Sequence, residues 1–164
     1  MLEILEMRSE QVDGLLSQVG YGHLACSRDD QPYVLPIYYT FEGGEIYVYT
    51  TAGLKSEIIA NNPKVCLQVE EINDDGAWRS VVVMGEAHEV VDPAERDRVI
   101  KLIRLSNPNL LPALAIKWAN DWMRKNTEVV YRITIRSITG KCTSEIKIAA
   151  AKAQPAFCPK PLHD

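Results

Sequence analysis

The run Val48-Tyr49-Thr50-Thr51-Ala52-Gly53-Leu54-Lys55-Ser56-Glu57-Ile58-Ile59 passes from a β-branched, aromatic strand through a small turn into a short helix, closed by Asn61-Asn62-Pro63. Backbone N–H groups at a helix start form a positively polarised pocket for an anion. Lys55 would add a cation and Ser56 a hydroxyl, and Gly53 would let backbone approach a ligand closely. Together these groups can hold a phosphate. A lysine in the first turn of a surface helix can equally be solvated and idle, and these residues alone leave both readings open. Other chemistry has less support. Cys26, Cys66, Cys142 and Cys158 lie far apart with no Cys-x-x-Cys pair, and His23, His88 and His163 are equally scattered. Reduced structural thiols and no zinc site are expected. The chain contains no Gly-x-Gly-x-x-Gly turn, Gly-x-Ser-x-Gly elbow or phosphate-binding P-loop motif.

The elements that would position the Lys55 turn are mainly strands. Ser9, as N-cap, opens a helix with an apolar face at Val12, Leu15, Leu16 and Val19. A first strand at Tyr21–Ser27 turns through Arg28-Asp29-Asp30-Gln31-Pro32. Two strands rich in aromatic and β-branched residues, 33–41 and 45–50, joined by Glu42-Gly43-Gly44, read as a hairpin. Pro36 cannot donate a ladder hydrogen bond, which places it at a strand edge, a bulge or a ligand-facing rim. After the Lys55 helix come a strand at 64–72 and a long strand at 77–91 in which Gly85 marks a bulge or bend. Asp92-Pro93-Ala94-Glu95 carries an N-cap, a first-position proline and an acidic residue three after the cap, the clearest helix start in the chain. A later stripe of Leu111, Leu114, Ala115, Trp118, Ala119 and Trp122 has helical spacing and needs burial in the core, against a partner or over a cleft. The last strand, at 129–138, alternates Tyr131, Ile133 and Ile135 with Arg132, Thr134 and Arg136. Six strands in mostly hairpin order, with helices after the third and fifth, predict a mainly β chain with helices, folded as a small antiparallel barrel.

A length of 164 residues suits one domain, here expected over 1–148, with 149–164 as a proline-containing extension. The 46% hydrophobic and 24% charged content is ordinary for a globular chain, so most of it should fold. A net charge of −4 without a basic stripe excludes nucleic acid as an expected partner. The N-terminus has acidic residues among its apolar ones and does not read as a signal peptide; no apolar run is long enough to span a membrane. A cytoplasmic protein with no membrane partner is the expectation.

In this order the segments from Tyr21 to Lys141 resemble the FMN-binding split-barrel family related to pyridoxamine 5′-phosphate oxidase. The resemblance runs through GHLACSRDDQPYVLPIYYTFEGGEIYVYTTAGLKSEIIANNPKVCLQVEE, WRSVVVMGEAHEV and the closing ITGK. It implies a six-stranded antiparallel split barrel that binds FMN. By likeness, Leu35, Pro36, Ile37 and Tyr38 would run beside the isoalloxazine. Tyr49, Thr50 and Thr51 would end a strand at the ribityl chain and phosphate, and Lys55 would match the basic residue of the phosphate turn. Ser56 stands where the family often has a second basic residue, a departure that replaces a charge with a hydroxyl donor. Trp78 and Ser80 match a strand that reaches FMN, often across a dimer interface, and Lys141 matches a recurring lysine.

The resemblance further implies a homodimer with FMN at the subunit interface, a small-molecule electron acceptor and NADH or NADPH as donor. True pyridoxamine phosphate oxidases carry an arginine-rich C-terminal strand, whereas this chain ends IKIAAAKAQPAFCPKPLHD without arginine. The closer likeness is to the short subgroup that includes nitroimidazole-resistance reductases and flavin-nucleotide-binding proteins. Three functions stay open on the sequence: an FMN-dependent oxidoreductase for an aromatic, nitro or quinone-like acceptor; a non-catalytic FMN or haem binder, with His23 or His88 as haem ligand; and a structural dimer whose flavin site has decayed. No general acid or base stands out, since His23 and His88 both fall in expected strands.

Overall fold

The computed structural model describes residues 3–74, 76–106 and 128–143. The elements follow as β1 (Ile4–Glu6), α1 (Ser9–Val19), β2 (Tyr21–Arg28), β3 (Gln31–Glu42), β4 (Glu45–Thr51), α2 (Leu54–Asn61), β5 (Lys64–Ile72), β6 (Trp78–Glu89), α3 (Pro93–Ser106) and β7 (Glu128–Thr143). The Leu111–Trp122 stripe and the extension 149–164 lie outside the described residues.

The strands form one antiparallel sheet in the order β1-β7-β4-β3-β2-β5-β6, and β6 also pairs with β7, which closes it into a barrel. The described residues form seven strands rather than six. The extra one, β1, is three residues long and exposed, and it exists only because Ile4, Leu5 and Glu6 find Thr143, Cys142 and Lys141 across the chain. No local pattern announces so short a strand.

Strand alternation sends Leu24, Cys26, Ile37, Tyr39, Ile46, Val48, Leu67, Val69, Val81, Val83, Tyr131 and Ile133 into one core, which α1 plugs with Val12, Leu15 and Leu16. The Tyr39 hydroxyl, fully enclosed, donates to the Leu16 carbonyl at 2.9 Å, tying β3 to the end of that helix. A smaller cluster of Tyr47, Val90, Val99, Ile103 and Val130 lies on the other face of β4 and β7, under α3. Local turn chemistry agrees with this layout. Gly43 and Gly44 both have positive φ, 61° and 80°, as a tight two-residue hairpin turn requires. Asp29 and Asp30 make the β2–β3 turn in the same left-handed region, at 52° and 60°.

Helix starts divide into one success and one correction. Asp92 Oδ2 accepts from the Glu95 N–H at 2.8 Å, the cap expected from the sequence. Asp92→Ala should therefore cost about 1 kcal/mol, read as a lower denaturation midpoint with unchanged slope. Ser9, in contrast, is the first helical residue and not the cap. Arg8 occupies the cap position with an extended backbone, and its N–H donates to Gln11 Oε1 at 2.9 Å. No helix among the described residues is long and apolar enough to cross a membrane.

Candidate functional site

The site begins where two strands part. β4 pairs with β3 only from Tyr38↔Tyr49 to Glu42↔Glu45. Before Tyr38, β3 keeps its β2 partners, Ile37↔Gly22, Pro36↔His23 and Leu35↔Leu24, and has no β4 residue beside it. Pro36 thus lies on a one-sided stretch, where a residue without an N–H costs no ladder bond. A slot opens between Leu35–Tyr38 and the chain that leaves β4 at Thr51 and enters α2.

Alternation sends the side chains of Tyr49 and Thr50 opposite ways. Thr50 shares the face of Ile46 and Val48. Tyr49 packs beside the smaller cluster with Tyr38, and burial together with Glu128 pushes its hydroxyl pKa up, Arg104 and Arg96 opposing. Thr51 contributes a main-chain group: its carbonyl accepts from Lys55 Nζ at 2.5 Å.

Lys55 is not the solvated lysine of a surface helix. It is 8% exposed, on the same face of α2 as the buried Ile58 and Ile59. Burial holds its ammonium below the usual lysine pKa, with the Cys26 thiol acting the other way. Ser56 Oγ is buried and makes no hydrogen bond of good geometry. The side chain within its reach is Tyr131, whose hydroxyl pKa is pushed up by burial while a hydrogen bond from Ser56 acts the other way. At the helix start the N–H groups of Ser56 and Glu57 bond to the Gly53 carbonyl, so those of Leu54 and Lys55 precede the first intrahelical bond and face outward. Gly53 is extended, and a Cβ there would meet nothing within 4 Å, so the helix mouth is open. A buried cation, a buried hydroxyl and free amides around an open mouth fit an anionic group such as a phosphate.

The remaining residues singled out from the sequence form a second group. Ser80 pairs with Lys141, and Trp78 lies at the start of the same strand, its N–H donating to Thr143 Oγ1 at 3.2 Å. Lys141 is an exposed partner of Glu6 at 3.7 Å. Val129, the β7 residue opposite Thr50, is separated from Lys141 by about 40 Å of strand contour at ~3.3 Å per residue. Lys141 thus stands at the far end of β7 from the Lys55 slot. Sequence reasoning missed Cys26 and Tyr131, which reach α2 only through the folding of β2 and β7. It also left Gln68 unassigned and took His23 only as a strand residue or an alternative haem ligand.

A closed antiparallel barrel in which two strands part beside a helix start defines the fold class. Residues 8–142 match the sequence profile of pyridoxamine 5′-phosphate oxidase, and the chain belongs to that family. A solved structure of an FAD-binding protein from Mesorhizobium loti is similar at 29% identity over 88% of this chain and 100% of its own, with a TM-score of 0.69. A candidate 5-nitroimidazole antibiotic resistance protein from Bacteroides thetaiotaomicron shares the fold at 15% identity, over 87% of this chain and 89% of its own, with a TM-score of 0.67. An FAD-binding protein from Mycobacterium smegmatis does so at 19% identity, over 84% and 98%, with a TM-score of 0.59. An uncharacterised protein from Rhizobium meliloti is 39% identical over 84 residues, 51% of this chain; the match spans 56% of that relative's length.

Proposed function

We propose that this chain binds FMN in the slot and works as an FMN-dependent oxidoreductase on a small aromatic, nitro or quinone-like acceptor, with NADH or NADPH as donor. The observation that carries the reading is the buried Lys55 with the buried Ser56 Oγ at the mouth of α2, beside the one-sided edge Leu35–Tyr38. FMN, when bound, supplies hydride and single-electron chemistry. The chain's part is to hold and orient it. Lys55, Ser56 and the first amides of α2 would take the phosphate, Thr50 and the Thr51 main chain would border the ribityl chain, and the backbone of Leu35–Tyr38 would line the ring edge. Protein N–H groups along that edge would stabilise negative charge on a reduced ring.

The same reading includes a homodimer. The sheet's outer face carries a cross-strand row of Val34, Ala25, Cys66 and Met84, with Val34 63% and Met84 49% exposed. Such a row favours burial against a second copy. Pairing would give Trp78, Ser80 and Lys141 a slot to serve, that of the partner subunit. The test is direct: titrate the purified protein with FMN and with FAD, following flavin fluorescence and the visible spectrum, and measure its mass by light scattering. Saturable FMN uptake by a dimer is expected. A protein that ignores FMN, or one that binds only haem, would overturn the reading.

A further inference from the structure

On the outer face of the sheet, the residue directly across from Pro36 is His23. Its surroundings are ordered in a way the sequence does not reveal. On β5, Gln68 is paired with it, and His23 Nδ1 lies 3.3 Å from Gln68 Oε1. The Gln68 amide is itself held: Nε2 donates to Glu70 Oε2 at 3.0 Å and to Ser80 Oγ at 3.3 Å. With its NH2 committed to these acceptors, Gln68 presents only oxygen to the ring. His23 Nδ1 must therefore carry the hydrogen, which leaves Nε2 as the exchangeable nitrogen. Tyr21 packs edge-on to the imidazole, with centroids 5.9 Å apart, and edge-on to Tyr38 at 5.4 Å. Tyr38, Tyr21, His23 and Pro36 thus form an aromatic shelf on the face of β2 and β3 next to the slot.

We propose that His23 is the proton-exchanging residue of this protein, delivering a proton from Nε2 to an oxygen of a flat acceptor lying on the Tyr21–Tyr38–Pro36 shelf. The inference rests on the flavin reading above. Two-electron reduction of a quinone to a hydroquinone consumes two electrons and two protons. The electron pair and one proton travel as hydride, originating from the nicotinamide donor. The second proton passes from His23 Nε2–H to the quinone oxyanion, and water returns a proton to the imidazole. Gln68 is the positioning residue: it fixes which nitrogen is free. The other titratable groups flanking it on this face are Tyr21 on β2, Tyr38 on β3, and Cys66 and Glu70 on β5; Glu70 is engaged by Gln68, and burial pushes the Cys66 thiol pKa up.

The test uses flavin-loaded full-length protein, reduced with dithionite and mixed with a water-soluble p-benzoquinone in a stopped-flow instrument across pH. Because the donor must be protonated, the wild-type rate should fall as pH rises. His23→Gln should lower the rate on the acid side by about 100-fold, the lower end for loss of a general acid, and flatten the profile. Gln68→Glu places a carboxylate against Nδ1–H, which favours the imidazolium and should move the break upward. The same upward movement should appear in the His23 Cε1–H NMR titration of flavin-free protein, a readout that needs no turnover. A wild type that takes up no flavin overturns both readings. If all proteins bind flavin but the two variants keep the wild-type rate and break, the role of His23 alone is overturned.

Discussion

Lys55→Met should leave the protein folded and weaken FMN binding by about 10- to 100-fold, the equivalent of one charge-assisted hydrogen bond to phosphate at ~1.5–3 kcal/mol. Methionine keeps the unbranched stem that packs with Ile58 and Ile59, so the core contact survives while the ammonium is lost. Stability of the flavin-free protein should be unchanged or slightly higher, because a buried charge whose main partner is the Thr51 carbonyl is costly to hold. That combination separates the proposed role from a structural one: a residue that merely supported α2 would lose stability and affinity together. The pH dependence has a defined sign. Burial lowers the Lys55 pKa in the fold, so the unfolded chain binds more protons in the window just below the ordinary lysine value, and this group's contribution to stability rises with pH there. FMN affinity should fall over the same window as the ammonium is lost, and the fall should vanish in Lys55→Met. Fluorescence titration of both proteins from neutral to alkaline pH measures it; equal affinities at neutral pH would remove Lys55 from the site.

What the sequence could and could not disclose about that lysine follows from the range of the interactions involved. The strand-to-helix passage at Thr51–Lys55, the Gly43-Gly44 hairpin and the Asp92 cap are written within a few residues of themselves and appear where expected. Pro36 is informative for a similar reason, since a missing N–H limits a strand wherever it lies. The burial of Lys55 is different. It depends on α2 lying against β2, where Cys26 sits, and on the reach of β7, which brings Tyr131 to Ser56. The Tyr49-Thr50 dipeptide looks like one feature in sequence, but a period of two sends its side chains to different faces. β1 is set wholly by pairing with β7. The His23–Gln68–Glu70 chain could not be read at all, because it is a cross-strand row fixed by register, and a shift of one residue would have sent each of those side chains to the other face.

Register also explains why Gly85 should be among the least replaceable residues away from the slot. β6 bridges β5 and β7, and between Met84 and Gly85 its pairing with β7 slips: Met84 lies opposite Ser137 and Gly85 opposite Ile135. This bulge bends the longest paired stretch and lets β7 continue towards β4 and the slot. At the bend the strands approach so closely that a Cβ on Gly85 would lie 2.6 Å from the Thr134 carbonyl oxygen and 2.7 Å from Ile133 Cγ2. A flexible side chain could turn away, but the carbonyl belongs to the β7 backbone and can only move with it. Gly85→Ala should therefore cost at least the ~1–3 kcal/mol typical of overpacking a tight core, with a melting temperature lower by several degrees. The same substitution at Gly14, in the middle of α1 with nothing within 4 Å of a built Cβ, should instead stabilise by about 0.5–1 kcal/mol through helix propensity. Measured side by side by urea denaturation, the two alanines should shift the midpoint in opposite directions. A Gly85→Ala protein as stable as wild type would mean that β6 and β7 can separate freely at the bulge, and that the close approach does not set the course of β7 to the slot.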